Sequence, residues 1–186
     1  MWCGKEVGGY RILVRVVAVL ALGALTAACF QPLYGNNPAG DSVRDKLASI
    51  EVGDIPAGNG TPEARLAVSL RNALMYDFNN GGAPISPTHR LKITIGSSIA
   101  TVIVDVASGR PDSQVEVVNA SFTLTEIATN KVVLTSSTHT MASFDIPGSA
   151  QRFAQQRAWH NAEDRAITQV AENIRNRLAS FFVAGT

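Results

Sequence analysis

Apolar residues recur at two different periods along this chain, and the change of period marks out its elements. Leu66, Leu70, Leu74 and Phe78 stand four apart and define one stripe of a helix. Thr61-Pro62-Glu63 supplies the start of that helix: a capping hydroxyl, proline at the first helical position, then an acid in the first turn. Asn79-Asn80-Gly81-Gly82 supplies the stop. From His89 to Asn130 the period falls to two. Leu91, Ile93 and Ile95 alternate with Lys92 and Thr94, and Val102, Val104 and Val106 continue after a shift near Gly96. Beyond the turn cluster Ser108-Gly-Arg-Pro-Asp112, the run Val118, Ala120, Phe122, Leu124 predicts a second strand. Thr129-Asn130 separates it from a third, which begins near Val132 and extends toward Phe144. Short turns join the three into an antiparallel meander of strands a dozen or more residues long.

Two further elements flank this meander. Val43, Leu47, Ile50, Val52 and Ile55 predict a first strand over Val43–Ile55, ended by a Pro-Ala-Gly-Asn-Gly breaker. After Pro147-Gly148, Ser149 caps a long last helix with a stripe through Trp159, Ala162, Ala166, Val170, Ile174, Leu178 and Phe181. Its opposite face is expected to carry Arg152, Arg157, Arg165, Arg175 and Arg177 with Glu163, Asp164 and Glu172. Each helix has one apolar side to bury, and the apolar face of the sheet is its natural partner. The expected fold is an α+β two-layer sandwich, a mostly antiparallel four-stranded sheet packed by two helices in the order β-α-β-β-β-α. The last strand has an additional feature. Thr135-Ser-Ser-Thr-His-Thr140 is polar on both faces, which fits either an edge strand or a sheet wetted on both sides.

The segment ahead of the domain reads as an address. Residues 1–15 carry Lys5, Arg11 and Arg15 against Glu6, and Val16–Ala28 holds thirteen residues without a charge. This is a basic region followed by an apolar stretch of signal-peptide length, shorter than the ~20 residues a spanning helix needs. A buried core helix is the alternative. The stretch ends at Leu25-Thr-Ala-Ala-Cys29, similar to the lipobox at which a bacterial lipoprotein cysteine receives diacylglycerol before cleavage. The expected organisation is a signal peptide over 1–28, a lipidated tether over 29–41 and one α+β domain over 42–186. Each acyl methylene buried contributes about 0.8 kcal/mol, so several chains on Cys29 anchor the protein firmly.

Composition narrows the classes. The 186 residues are 46% hydrophobic and 17% charged, with a formal net charge of +1. That is too apolar for a disordered chain and too neutral for a protein built on nucleic-acid phosphates. Removing Lys5, Arg11, Arg15 and Glu6 leaves 13 basic and 14 acidic residues, so the mature chain steers nothing by net charge. Only Cys3 and Cys29 could form a disulfide, and the expected processing leaves neither as a thiol.

Candidate chemistry is sparse. His89, His139 and His160 lie on three different elements, which does not make a metal site. A Ser143, His139, Asp145 set could be drawn, but residues 139 and 143 of a strand lie about 13 Å apart. No catalytic residues, metal or cofactor are therefore assigned. The remaining candidates are cations placed for an anionic ligand: Arg110 at a hairpin tip, Lys131 beside the other hairpin turn, and Arg152 in the first turn of the last helix. A cation is disfavoured at a helix N-terminus unless an anion meets it. Arginine can clamp a phosphate with two hydrogen bonds, which puts Arg110 first.

Cys29-Phe-Gln-Pro-Leu-Tyr-Gly35 resembles the start of mature members of the LPS-assembly lipoprotein family, LptE, in its alphaproteobacterial form. The order of elements is similar too, as is the last helix ending in Leu178-Ala-Ser-Phe-Phe182. The resemblance implies a non-enzymatic outer-membrane lipoprotein. Such a protein plugs and helps assemble the β-barrel LptD and binds lipopolysaccharide on its way to the outer leaflet. Its implied partners are LptD, lipopolysaccharide and the outer membrane, without nucleic acid. The residues read alone leave a second option: a stand-alone periplasm-facing lipoprotein that binds a small lipid or serves a transporter.

Overall fold

The computed structural model describes Val16 and residues 42–82, 84, 86–104, 106, 109–146 and 151–184. The chain divides into two units, Met1–Gly35 and Asn36–Thr186, and the architecture below is that of the second. The expected signal peptide and tether lie outside the described residues, apart from Val16.

The element order is α1 (Val43–Ala48), β1 (Ile50–Val52), α2 (Pro62–Asn79), β2 (His89–Val104), β3 (Pro111–Glu126), β4 (Lys131–Asp145) and α3 (Arg152–Ala184). The four strands form one open sheet in the order β1-β2-β3-β4. β1 runs parallel to β2 through the α2 crossover, and the other two pairings are antiparallel. This is the expected α+β sandwich, with one addition.

Residues 43–48 are helical rather than part of the first strand, which shrinks to Ile50–Val52. The expectation of a strand from Val43 failed because Val43 and Leu47 are four apart as well as apolar, and both are buried on one helical face. Ser42 Oγ accepts from the amide of Asp45 at 3.1 Å, which starts the turn.

α2 begins and ends where its sequence directs. Thr61 Oγ1 accepts from the Ala64 amide, and Asn80 stops the helix in the left-handed conformation at φ 52°. Leu66, Leu70, Leu74 and Phe78 are buried on the side of α2 that packs on β2, where Leu91, Ile93 and Ile95 are buried, while the buried even-numbered residues Val118 to Leu124 of β3 lie under α3. α3 closes the other half of the layer with Ala162, Ala166, Val170, Ile174 and Leu178. At its end Phe182, not Phe181, is the buried ring.

Two positions on the helices and sheet break the simple pattern. Glu163, expected on the solvent face of α3, is fully buried, as is Glu116 on β3. β4 is the sheet edge, as one reading of its hydroxyl-rich run allowed. Its inward hydroxyls are used: Thr138 Oγ1 accepts from Asn173 at 3.1 Å, and Thr140 Oγ1 donates to the Ala166 carbonyl at 3.3 Å.

Candidate functional site

The sheet is longer than the helical layer that covers it. Glu63, in the first turn of α2, accepts from Ser97 Oγ at 3.1 Å, so α2 starts level with the middle of β2. From Ser97 the hairpin runs on for about 23 Å, at 3.3 Å per residue. Ile99, Val102, Ile103 and Val104 are roughly half exposed there, and Val106 is fully exposed. Phe153, 86% exposed in the first turn of α3, lies at the same end of the sheet.

Arg110 and Arg152 are exposed at this end too. Neither has an ion-pair or hydrogen-bond partner among the described residues, and the first turn of α3 holds no acid. Lys131 belongs elsewhere. It stands opposite Glu126 in the β3–β4 register at the other hairpin, about 46 Å along β4 from Asp145 at 3.3 Å per residue. Two of the three candidate cations therefore flank one apolar end, and the third does not join them. His139, Ser143 and Asp145 all lie exposed along β4 and converge on nothing.

Beneath the apolar end sits a polar cluster that fixes α2 and α3 against β3. Trp159 Nε1 donates to Glu116 Oε2 at 3.1 Å. The Arg65 guanidinium lies 5.9 Å from the centroid of the Trp159 ring and pairs with Glu163 Oε2. His160 Nδ1 is 2.9 Å from the same oxygen, and its ring stacks on Trp159. Burial pushes the Glu116 carboxyl above the usual range, against the opposing Trp159 bond. Glu63 is held below it, chiefly by its backbone hydrogen bond and then by the Thr61 and Ser97 hydroxyls.

The alternation of β3 contained the signal for Glu116, two residues before Val118 on the buried face. Glu163 stands four after Trp159 on the α3 stripe.

Between this cluster and the tip lies a cavity of about 390 Å³, lined by Ile99, Gln114, Phe144, Arg152 and Trp159 among others. Among the described residues no group of three or more His, Cys, Asp or Glu is placed to hold a metal ion. No described helix is long and apolar enough to cross a membrane. The arrangement can therefore offer an apolar surface, two unpaired guanidinium groups and an aromatic-walled cavity.

No protein-family model matches the chain, and no curated protein matches it. Solved structures do. A candidate lipoprotein from Caulobacter crescentus aligns over 77% of this chain and 97% of its own, at 19% identity and a TM-score of 0.55. The rare lipoprotein B of Shewanella oneidensis covers 73% of this chain and 95% of its own, at 14% identity and a TM-score of 0.51. An uncharacterized lipoprotein B from Nitrosomonas europaea covers 73% and 84%, at 12% identity and a TM-score of 0.55. This chain has their fold. At such identities the likeness extends to architecture, and the three share a description as bacterial lipoproteins.

Proposed function

We propose that this protein is an outer-membrane lipoprotein anchored through Cys29, which plugs and helps assemble the LptD β-barrel and binds lipopolysaccharide in transit. The observation that carries the reading is the exposed apolar end of the β2–β3 hairpin, flanked by Arg110 and Arg152. An amphiphile with acyl chains and anionic groups complements both features at once. The outer face of the sheet supports the plug role, because Arg90, Lys92, Thr94, Asn119, Ser121, Thr135 and Ser137 make it polar where a water-filled barrel interior is polar. The lipoprotein description of the structural relatives agrees with the anchor. The role is contact, without turnover.

Purification from its own membrane in mild detergent tests the partner. A stoichiometric β-barrel supports the plug, and a solitary monomer overturns it. Arg110→Glu should weaken binding of lipopolysaccharide while leaving barrel association intact. Equal binding by both versions removes Arg110 from the site.

The cavity beside Trp159 favours one second reading, a stand-alone lipoprotein that holds a small lipid between helix and sheet. It predicts the solitary monomer and a lipid retained through purification.

A further inference from the structure

β4 ends the sheet, and beyond the bulge near Val133 its edge lacks the charges and prolines that commonly blunt one. From Val132 to Phe144 it carries no lysine, arginine, acid or proline, only the terminal charges Lys131 and Asp145. The direction of its backbone groups follows from two contacts. The Ile146 amide donates to the Asp112 carbonyl at 2.8 Å, so even-numbered residues face β3. The Ser143 carbonyl instead accepts from Arg165 Nη2 of α3 at 2.7 Å. In an antiparallel ladder both backbone groups of a residue point to the same side. Ser137, His139 and Met141 therefore turn their N–H and C=O groups to the open edge, and Ser143 turns its N–H there while Arg165 holds its carbonyl.

α3 runs beside that edge and makes it a groove of about 740 Å³. The strand wall is His139 to Ala142, and the helix wall includes Asp164, Arg165, Gln169 and Glu172. A free strand facing a helix wall that runs alongside it in the opposite sense is the geometry in which an extended peptide adds a strand to a sheet. We propose that this groove is a strand-addition site, taking an extended, uncharged polar segment of another protein as a fifth strand.

The walls select the occupant. The edge presents hydroxyl, imidazole and thioether groups with no formal charge to neutralise. The helix wall mixes acids with Arg165 and amides, which suits hydroxyl and amide side chains on alternate residues. A second copy of this chain is a poorer fit, because its own α3 would bring a second polar row into the same groove. A bare segment brings none. The site lies away from the apolar end and does not depend on what that end binds.

Photo-crosslinking in the native membrane reads the pairing directly. A photoreactive residue is placed singly at Ser137, His139, Met141 and Ser143 of the full chain, and the attached peptides are mapped. The expected adducts fall in one uncharged segment of one other protein, moving two residues along it for each two along β4. Adducts to a second copy, adducts without that stepping, or no adducts each overturn the proposal.

His139→Pro removes an outward N–H and should keep the melting temperature while abolishing the adducts formed from position 141. Hydrogen exchange of the unaltered chain covers the case in which that variant fails to fold. The amides of Ser137, His139 and Met141 should exchange at least about tenfold more slowly in the membrane extract than in the isolated protein. Equal exchange overturns the site.

Discussion

The indole of Trp159 and the carboxyl of Glu116 meet at 3.1 Å and tie the first third of α3 to β3. Glu116 is 1% exposed, so the indole is a donor that water cannot replace there. Trp159→Phe keeps an aromatic ring but removes the N–H. Leaving a buried acceptor unsatisfied costs about 1–3 kcal/mol, and urea denaturation of the variant should show a loss in that range. An unchanged midpoint would show that the carboxyl has found another donor.

Two glutamates near that bond respond to pH in opposite senses. Glu116 is raised above 4.5 by burial, so the folded chain keeps its proton to higher pH than the unfolded chain does. Its contribution is full below about pH 4.5 and declines as pH rises through the folded value. Glu63 is lowered, so its contribution is present above about pH 4.5 and is lost as pH falls toward the folded value. Glu116→Gln should flatten the decline toward neutral pH, and Glu63→Gln should flatten the loss in acid. Denaturation midpoints from acidic to neutral pH, with both variants beside the parent, test the two signs.

The fully buried Glu163 depends on Arg65 of α2 and on His160 for its Oε2, while its Oε1 has no partner among the described residues. Arg65→Ala removes the guanidinium and should cost about 3 kcal/mol, because a buried charge is left short of compensation. Adding Glu163→Leu to that variant removes the uncompensated group and should recover stability. A double variant weaker than Arg65→Ala alone would mean that the carboxylate is satisfied in some other way.

At the apolar end, Val102 is 60% exposed and Phe153 is 86% exposed, so neither contributes much to the core. Changing Val102, Val104 and Phe153 together to serine should shift stability by no more than about 0.5 kcal/mol per site. The same change should abolish binding to lipopolysaccharide aggregates in a sedimentation assay. Retained binding would separate the ligand from this end of the sheet.

The elements with strong periodicity were legible in the chain, because packing agrees with their local pattern. α2 follows the four-residue spacing of Leu66 to Phe78, and β2, β3 and β4 follow their alternation to within a few residues. Residues 43–48 misled, since a six-residue amphipathic helix and a strand share Val43 and Leu47 as apolar positions. Glu163 misled in a different way. Its charge suggests solvent, and only the arrival of Arg65 from another helix makes burial tolerable, a relationship absent from any local window. The cations divided likewise. The meander brings Arg110 and Arg152 to one end and leaves Lys131 at the other, and that separation follows from strand length rather than from residue type. The open edge of β4 was visible as an unusual run of hydroxyls, but strand order alone decides which strand ends the sheet.

The sixteen residues of β2 measure about 50 Å end to end, whereas the hydrocarbon core of a bilayer is about 30 Å thick. One stiff ribbon of that reach can have its Lys131 turn and its Arg110 turn in chemically different surroundings at the same moment. Whatever meets one hairpin is thus registered against whatever meets the other by the continuous strands that join them.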